Sequence, residues 1–465
     1  MPDSDYRSGG TFVKMFVRYT FFSNQSVRFF VIDTAQSIRL QLPARIAWAG
    51  LVQAAAEQAG NAFGLDSAKT LRLVHCAEEL LLFLAAAEVD ETEMTVRQIS
   101  TGVEIGFLFV SAGVDLSALN LVSSPDTKGN EEDWTSLPLL LAARMSDGFR
   151  VGLEGRRMEI ILQVDKVYPE PEPFPVDKVR VQGQPVFTGD VEAGVLLEAC
   201  SFIAGLYAEC VVPEWCSSPG RAADMIRAGE LVAMEARDAA GRLCGIIFWK
   251  KRSDQSITFF GPYDFSVDGS VAAELVNAML RAVGRTKARN VFSSLATRSL
   301  AEQGFEKLAE FPFSFEKYAP PVMHSVWGRM LQEDFGATSW THEGFTDFLR
   351  SRYDELELLR DLRPAEEIGE AVQKSSVLGA RLSPRLSEVF LYPELNGADI
   401  GENIARHVSS LVGAGYRNIF FEIDLSKRWH AAMGGHLLRS GFRPELMLPH
   451  GGLSDTLIFR YVAEA

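Results

Sequence analysis

The densest run of groups suited to holding an anion lies near the C-terminus. Residues 427–450 carry Lys427, Arg428, Arg439 and Arg443 against one acid, Glu445, in a chain whose net charge is −15. Just upstream, Gly397 and Gly401 permit close backbone approach, and Asn403 stands at a helix start, where free N–H groups and the helix dipole favour negative charge. Gly397, Gly401, Asn403, Arg428 and Arg443 are therefore the candidate seat for a small anionic ligand. Asp399 and Glu402 oppose a full pyrophosphate there, so a carboxylate or a single phosphate is the expected class. The competing reading of the same residues is a solvated basic face.

Other reactive types are thinly spread. His430 and His436 are six apart, on different faces of a helix, which spoils a shared metal site; both read as satisfied surface histidines. Five cysteines with no C-x-x-C pair indicate neither a disulfide framework nor a zinc ribbon, and fit a reduced, cytoplasmic compartment. There is no G-x-S-x-G, P-loop, G-x-G-x-x-G or H-E-x-x-H sequence. No catalytic residue and no metal ligand is assigned. The acidic balance argues against nucleic acid, and Trp327, Trp340 and Trp429 read as packing residues rather than a base-stacking platform. The most apolar stretches are broken by Glu79, Glu88, Glu198 and Glu209, so no membrane span is expected.

The elements that position these residues fall into three units. Prolines 169, 171, 173 and 175 cannot donate ladder hydrogen bonds or continue a helix, and mark a linker over 169–176. Pro312, Pro320 and Pro321 mark a softer break. The expected units are 1–168, 177–318 and 322–465. Periodicity gives the first a strand, two helices and further strands, with helices on one face of a mixed sheet. The second has a hairpin turned at 238–241, a helix with Ala272, Leu275, Met279 and Val283 on one face, and a helix ending at Glu302. The third has helices within 343–362, strands, a helix over 400–412 and a helix over 429–439. The class is mixed α/β (α+β).

The first unit, through residues 73–83 (LVHCAEELLLF), 110–119 (VSAGVDLSAL) and 139–147 (LLLAARMSD), resembles the ATP-binding module of the GHKL superfamily, most closely the anti-sigma-factor serine kinases. The resemblance implies a two-layer α/β sandwich and a nucleotide site, but a degenerate one. Glu79 is kept, whereas Phe83 stands where the family has a magnesium-binding Asn, and a phenyl ring offers no oxygen ligand. Ser111 replaces the adenine-binding Asp, Gly113 survives, and Glu131, Glu132 and Asp133 would repel phosphates in the lid. Glu78 and Glu79 also read simply as a solvated helix face.

The strand order of the second unit resembles the GNAT N-acetyltransferase superfamily. The strand, helix, Gly-Phe, strand ending of the third, at Gly441-Phe442 as at Gly304-Phe305, is similar to a second copy. The family binds the diphosphate of coenzyme A at Q/R-x-x-G-x-G/A before its central helix. The corresponding positions are Ser266, Gly269 and Val271 in one unit and Asn396, Asp399 and Gly401 in the other, with Asp264 and Asp268 adding charge. The usual Tyr acid becomes Leu300 and Leu437, which cannot protonate a thiolate. The expected function is that of a regulatory or scaffolding protein, a pseudoenzyme binding a small anionic ligand or a regulatory protein. The alternative is an acyl-CoA-dependent N-acyltransferase. Acyl-CoA is the one cofactor the resemblance admits.

Overall fold

In the computed structural model, described over residues 37–110, 113–122, 131–171, 176–315, 320–365 and 373–463, three large sheets and one two-stranded sheet carry the described residues. The first lobe begins with Ser37–Pro43 (β1), Ala49–Ala62 (α1) and Ser67–Ala86 (α2), continues through Glu91–Ile99 (β2), Gly102–Val110 (β3) and Glu131–Met145 (α3), and ends with Gly148–Glu154 (β4) and Arg157–Asp165 (β5). Its sheet runs β1-β2-β3-β5-β4 and is antiparallel throughout, not mixed as the sequence suggested. Asp66 caps α2 by accepting from the Lys69 amide at 2.8 Å. Leu73, Ala77, Leu80, Leu81 and Leu84 then turn one face of the helix into the core.

The second lobe comprises Val186–Thr188 (β6), Ala193–Leu206 (α4), Pro219–Arg227 (α5), Val232–Arg237 (β7), Leu243–Lys251 (β8), Ser256–Asp264 (β9), Ala272–Val283 (α6), Asn290–Ala296 (β10), Glu306–Phe313 (β11) and Val322–Met330 (β12). The β7–β8 turn forms because the Asp238 carboxylate accepts from the amides of Ala240 and Arg242, both at 3.0 Å. Leu275, Val276, Met279 and Val283 pack α6 on the sheet. The order is β6-β7-β8-β9-β10-β12-β11, with only β9 and β10 parallel. β12 pairs with both β10 and β11, so residues 322–330 complete the second sheet; the break expected at 318/322 falls inside a β-hairpin. The helix expected to end at Glu302 is a single 3-10 turn, Ala301–Gln303.

Ala337–Thr341 (β13), Glu343–Glu355 (α7) and Arg360–Pro364 (β14) follow; β13 and β14 form a parallel pair, so the tail of the expected 343–362 helix is a strand. The third sheet holds Val377–Ser383 (β15), Glu388–Leu395 (β16), Asn418–Asp424 (β17), Phe442–Leu448 (β18) and Thr456–Tyr461 (β19), with Ile400–Gly413 (α8), Arg428–Ala432 (α9) and Gly434–Arg439 (α10). The helix expected over 429–439 is divided there because Gly434-Gly435 is a poor helix former. The order β15-β16-β17-β19-β18, with β16 and β17 parallel around α8, repeats β8-β9-β10-β12-β11 around α6. Residues 35–465 form one compact unit.

A buried network braces the third lobe. Arg360 on β14 donates to Asp455 at 2.6 Å and to Asp334 at 2.8 Å, and His450 meets Asp334 at 3.1 Å. His450 and His430 are both buried, and His430 accepts from the Asp424 amide at 3.1 Å, so His430 is a core residue rather than a surface one.

Candidate ligand-binding site

A cavity of about 400 Å³ opens in the second lobe where β9 and β10 part and α6 begins. Lys178, Tyr207, Asp264, Thr297, Arg298 and Glu302 are in its wall. Parallel strands joined through a helix place the helix N-terminus beside the strand ends, so this is where an anion would be drawn. Here the chain supplies its own. One carboxylate oxygen of Asp264 accepts from the amides of Val271 (2.9 Å) and Ala272 (2.8 Å), and the other from the amide (2.8 Å) and hydroxyl (2.5 Å) of Ser266.

The strand end is likewise occupied. The Tyr207 hydroxyl donates to the Asp264 carbonyl at 2.9 Å and accepts from the Asp264 amide at 2.5 Å. Burial pushes its pKa up to about 12. Thr297 donates to the Pro262 carbonyl at 2.5 Å. Asp264 and Tyr207 are thus both tied into the frame. The exposed rim is polar and, with Lys178 and the Arg298–Glu302 pair at 4.0 Å, carries both signs of charge.

The third lobe treats its equivalent end differently. A Cβ on Gly397 would lie 2.1 Å from the Ser376 amide nitrogen, and one on Gly401 2.3 Å from Nδ1 of His436, so both glycines mark close packing, not an open loop. Asn403 is fully buried, and its amide donates to Asn120 (3.0 Å) and to the carbonyl (3.1 Å) and hydroxyl (2.9 Å) of Ser376. Arg428 lies over the Trp340 ring at 5.5 Å, and Arg443 donates to the carbonyls of Leu438 and Phe442. Gly397, Gly401 and Asn403 are brought together; Arg428 and Arg443 are spent elsewhere.

In the first lobe, Phe83 is buried in the core and Glu79 is half-buried on α2, its carboxyl raised by burial and then by Glu78. Gly113 has φ +95. Ser111 and the side chains of Glu131, Glu132 and Asp133 lie outside the described residues, although the expected lid is helical from Glu131 onward. Leu300 and Leu437, at the positions of the family's acid, are both core residues. Among the described residues no group of His, Cys, Asp and Glu is arranged to hold a metal, and no helix is long and apolar enough to cross a membrane.

No family model and no curated protein matches the chain. Among solved structures, the chain is similar to spermidine N-acetyltransferase from Vibrio cholerae (13% identity, 32% of this chain and 94% of that one, TM-score 0.27). It is also similar to ribosomal-protein-S5-alanine acetyltransferase from Vibrio fischeri (9%, 33% and 98%, 0.26) and to aminoglycoside 6'-acetyltransferase type Ii (12%, 32% and 98%, 0.24).

Proposed function

We propose that the chain is a regulatory or scaffolding protein built from a GHKL-like first lobe without nucleotide chemistry and two GNAT-like lobes that bind rather than transform. The observation that carries this reading is Asp264. Its carboxylate takes the Val271 and Ala272 amides at the start of α6, part of the seat that a diphosphate would need, and a second anion there meets charge repulsion. The ligand of the second-lobe cavity is then a small polar molecule carrying a carboxylate, held at the rim by Lys178, Arg298 and the Ser299 hydroxyl. In the first lobe, Phe83 in the core supports the loss of magnesium and ATP binding.

Acyl transfer is the second reading, favoured by the position of the cavity at the parting of the parallel strands beside α6. Intact-mass measurement after incubation with acetyl-CoA and longer acyl-CoAs, with a thermal-shift screen of CoA thioesters, nucleotides and small carboxylates, separates the two. The regulatory reading expects no thioester turnover, and stabilisation by carboxylates alone. Release of free CoA, or an acyl adduct on a co-incubated amine, would replace it with the second.

A further inference from the structure

The third lobe has two seams that differ in the apolar core they bury. Against the second lobe it has an aromatic and apolar core, where Phe292, Phe311 and Phe313 pack on Phe420, Leu446 and Ile458, edged by polar contacts such as Arg252–Glu422 and Asn290 to the Pro449 carbonyl. Against the first lobe it is largely polar. Asn120, in the loop that follows β3 and Gly113, is only 3% exposed. Its side-chain oxygen accepts from the Leu378 amide and from Asn403, each at 3.0 Å, and its NH₂ donates to the Ser376 carbonyl at 2.9 Å. Nearby the Val151 amide donates to the Glu394 carboxylate at 3.0 Å, and only Val377 and Leu395 reach from the third sheet into the first lobe's core.

The first lobe meets the second through further polar contacts: Lys166–Asp224 at 3.2 Å, Arg221–Asp165 at 3.0 Å and Ser100–Glu230 at 2.6 Å. Polar seams between lobes yield to solvent more readily than apolar ones, because water replaces their hydrogen bonds.

We infer that the first lobe is a releasable cover, clasped through Asn120 over the α8 end of the third lobe, while the second and third lobes stay together as one body. The clasp closes the end of the third lobe that corresponds to the cavity-bearing end of the second. The inference stands apart from what the second-lobe cavity binds.

Hydrogen exchange on the full chain tests it, because single amides report on each seam. The Leu378 and Val151 amides are held across the first seam, and the Ser314 amide across the second, by Asn418 at 2.9 Å. Leu378 and Val151 are expected to exchange together, at least tenfold faster than Ser314. Asn120→Asp, which cannot donate to the Ser376 carbonyl, should speed both a further tenfold and leave Ser314 unchanged. One common rate for all three amides in the unaltered chain would overturn the inference, whether or not the variant folds. So would a variant that accelerates Ser314 equally.

Discussion

The α6 end of the second lobe and the α8 end of the third are the same place in a repeated topology, yet one opens on a cavity and the other is sealed. In the second, the obstruction is internal: Asp264, at the end of the preceding strand, takes the Val271 and Ala272 amides, and the space beyond stays open to Lys178 and Arg298. In the third, Asp399 instead accepts from the Ser376 amide at 2.6 Å, and the neighbouring first lobe closes over Asn403. A helix N-terminus keeps its affinity for negative charge, so a lobe without a phosphate ligand must satisfy its amides by other means. A carboxylate in the chain does this and leaves a usable surface. A docked lobe does not.

The contrast predicts where damage is costly. Arg360→Met should have the largest effect: it leaves Asp334 and Asp455 buried together without their cation and should cost about 3–5 kcal/mol in denaturant unfolding. The loss should appear first in third-lobe probes such as Trp340. Asn403→Leu strikes the sealed end itself. By removing three donated hydrogen bonds inside the seam it should cost about 2–3 kcal/mol, with the second-lobe cavity's ligand response unchanged.

A smaller effect is expected at the contact of the two repeated lobes. Burial pushes the Glu388 carboxyl up to about 7 from 4.5; Arg381 opposes the shift and Glu214 adds to it. The folded chain then binds that proton more tightly than the unfolded one. Stability from this group is present at acid pH and declines as pH rises from about 4.5 through 7. Glu388→Gln should flatten the decline and raise the melting temperature modestly at pH 8, while leaving it nearly unchanged at pH 5. An unaltered slope would place the titration elsewhere.

Much of the frame was legible because periodicity is local. The stripe Leu275, Met279 and Val283 fixes α6, and Asp238 to Gly241 fixes the hairpin turn. The pairing of β12 was hidden by Pro320 and Pro321, which read as a boundary although the strand after them completes a sheet begun more than 130 residues earlier. The site was less legible than the fold. Asp264 reads in sequence as a charge hostile to phosphate; that it is the helix's own cap depends on a loop folding back over seven and eight residues. Tyr207 gave no signal, since its partner is 57 residues away. Gly397 and Gly401 read as permitting close approach of a ligand, because glycine signals close approach without saying to what; here the neighbours are Ser376 and His436.

The most direct test of the account is a calorimetric titration of coenzyme A into the unaltered chain and into Asp264→Ala. The account predicts no saturable binding to the unaltered chain below roughly millimolar, a threshold of about 4 kcal/mol, and a gain of binding when the α6 amides are freed of their carboxylate. Micromolar binding to the unaltered chain, undiminished or weakened by Asp264→Ala, would contradict it.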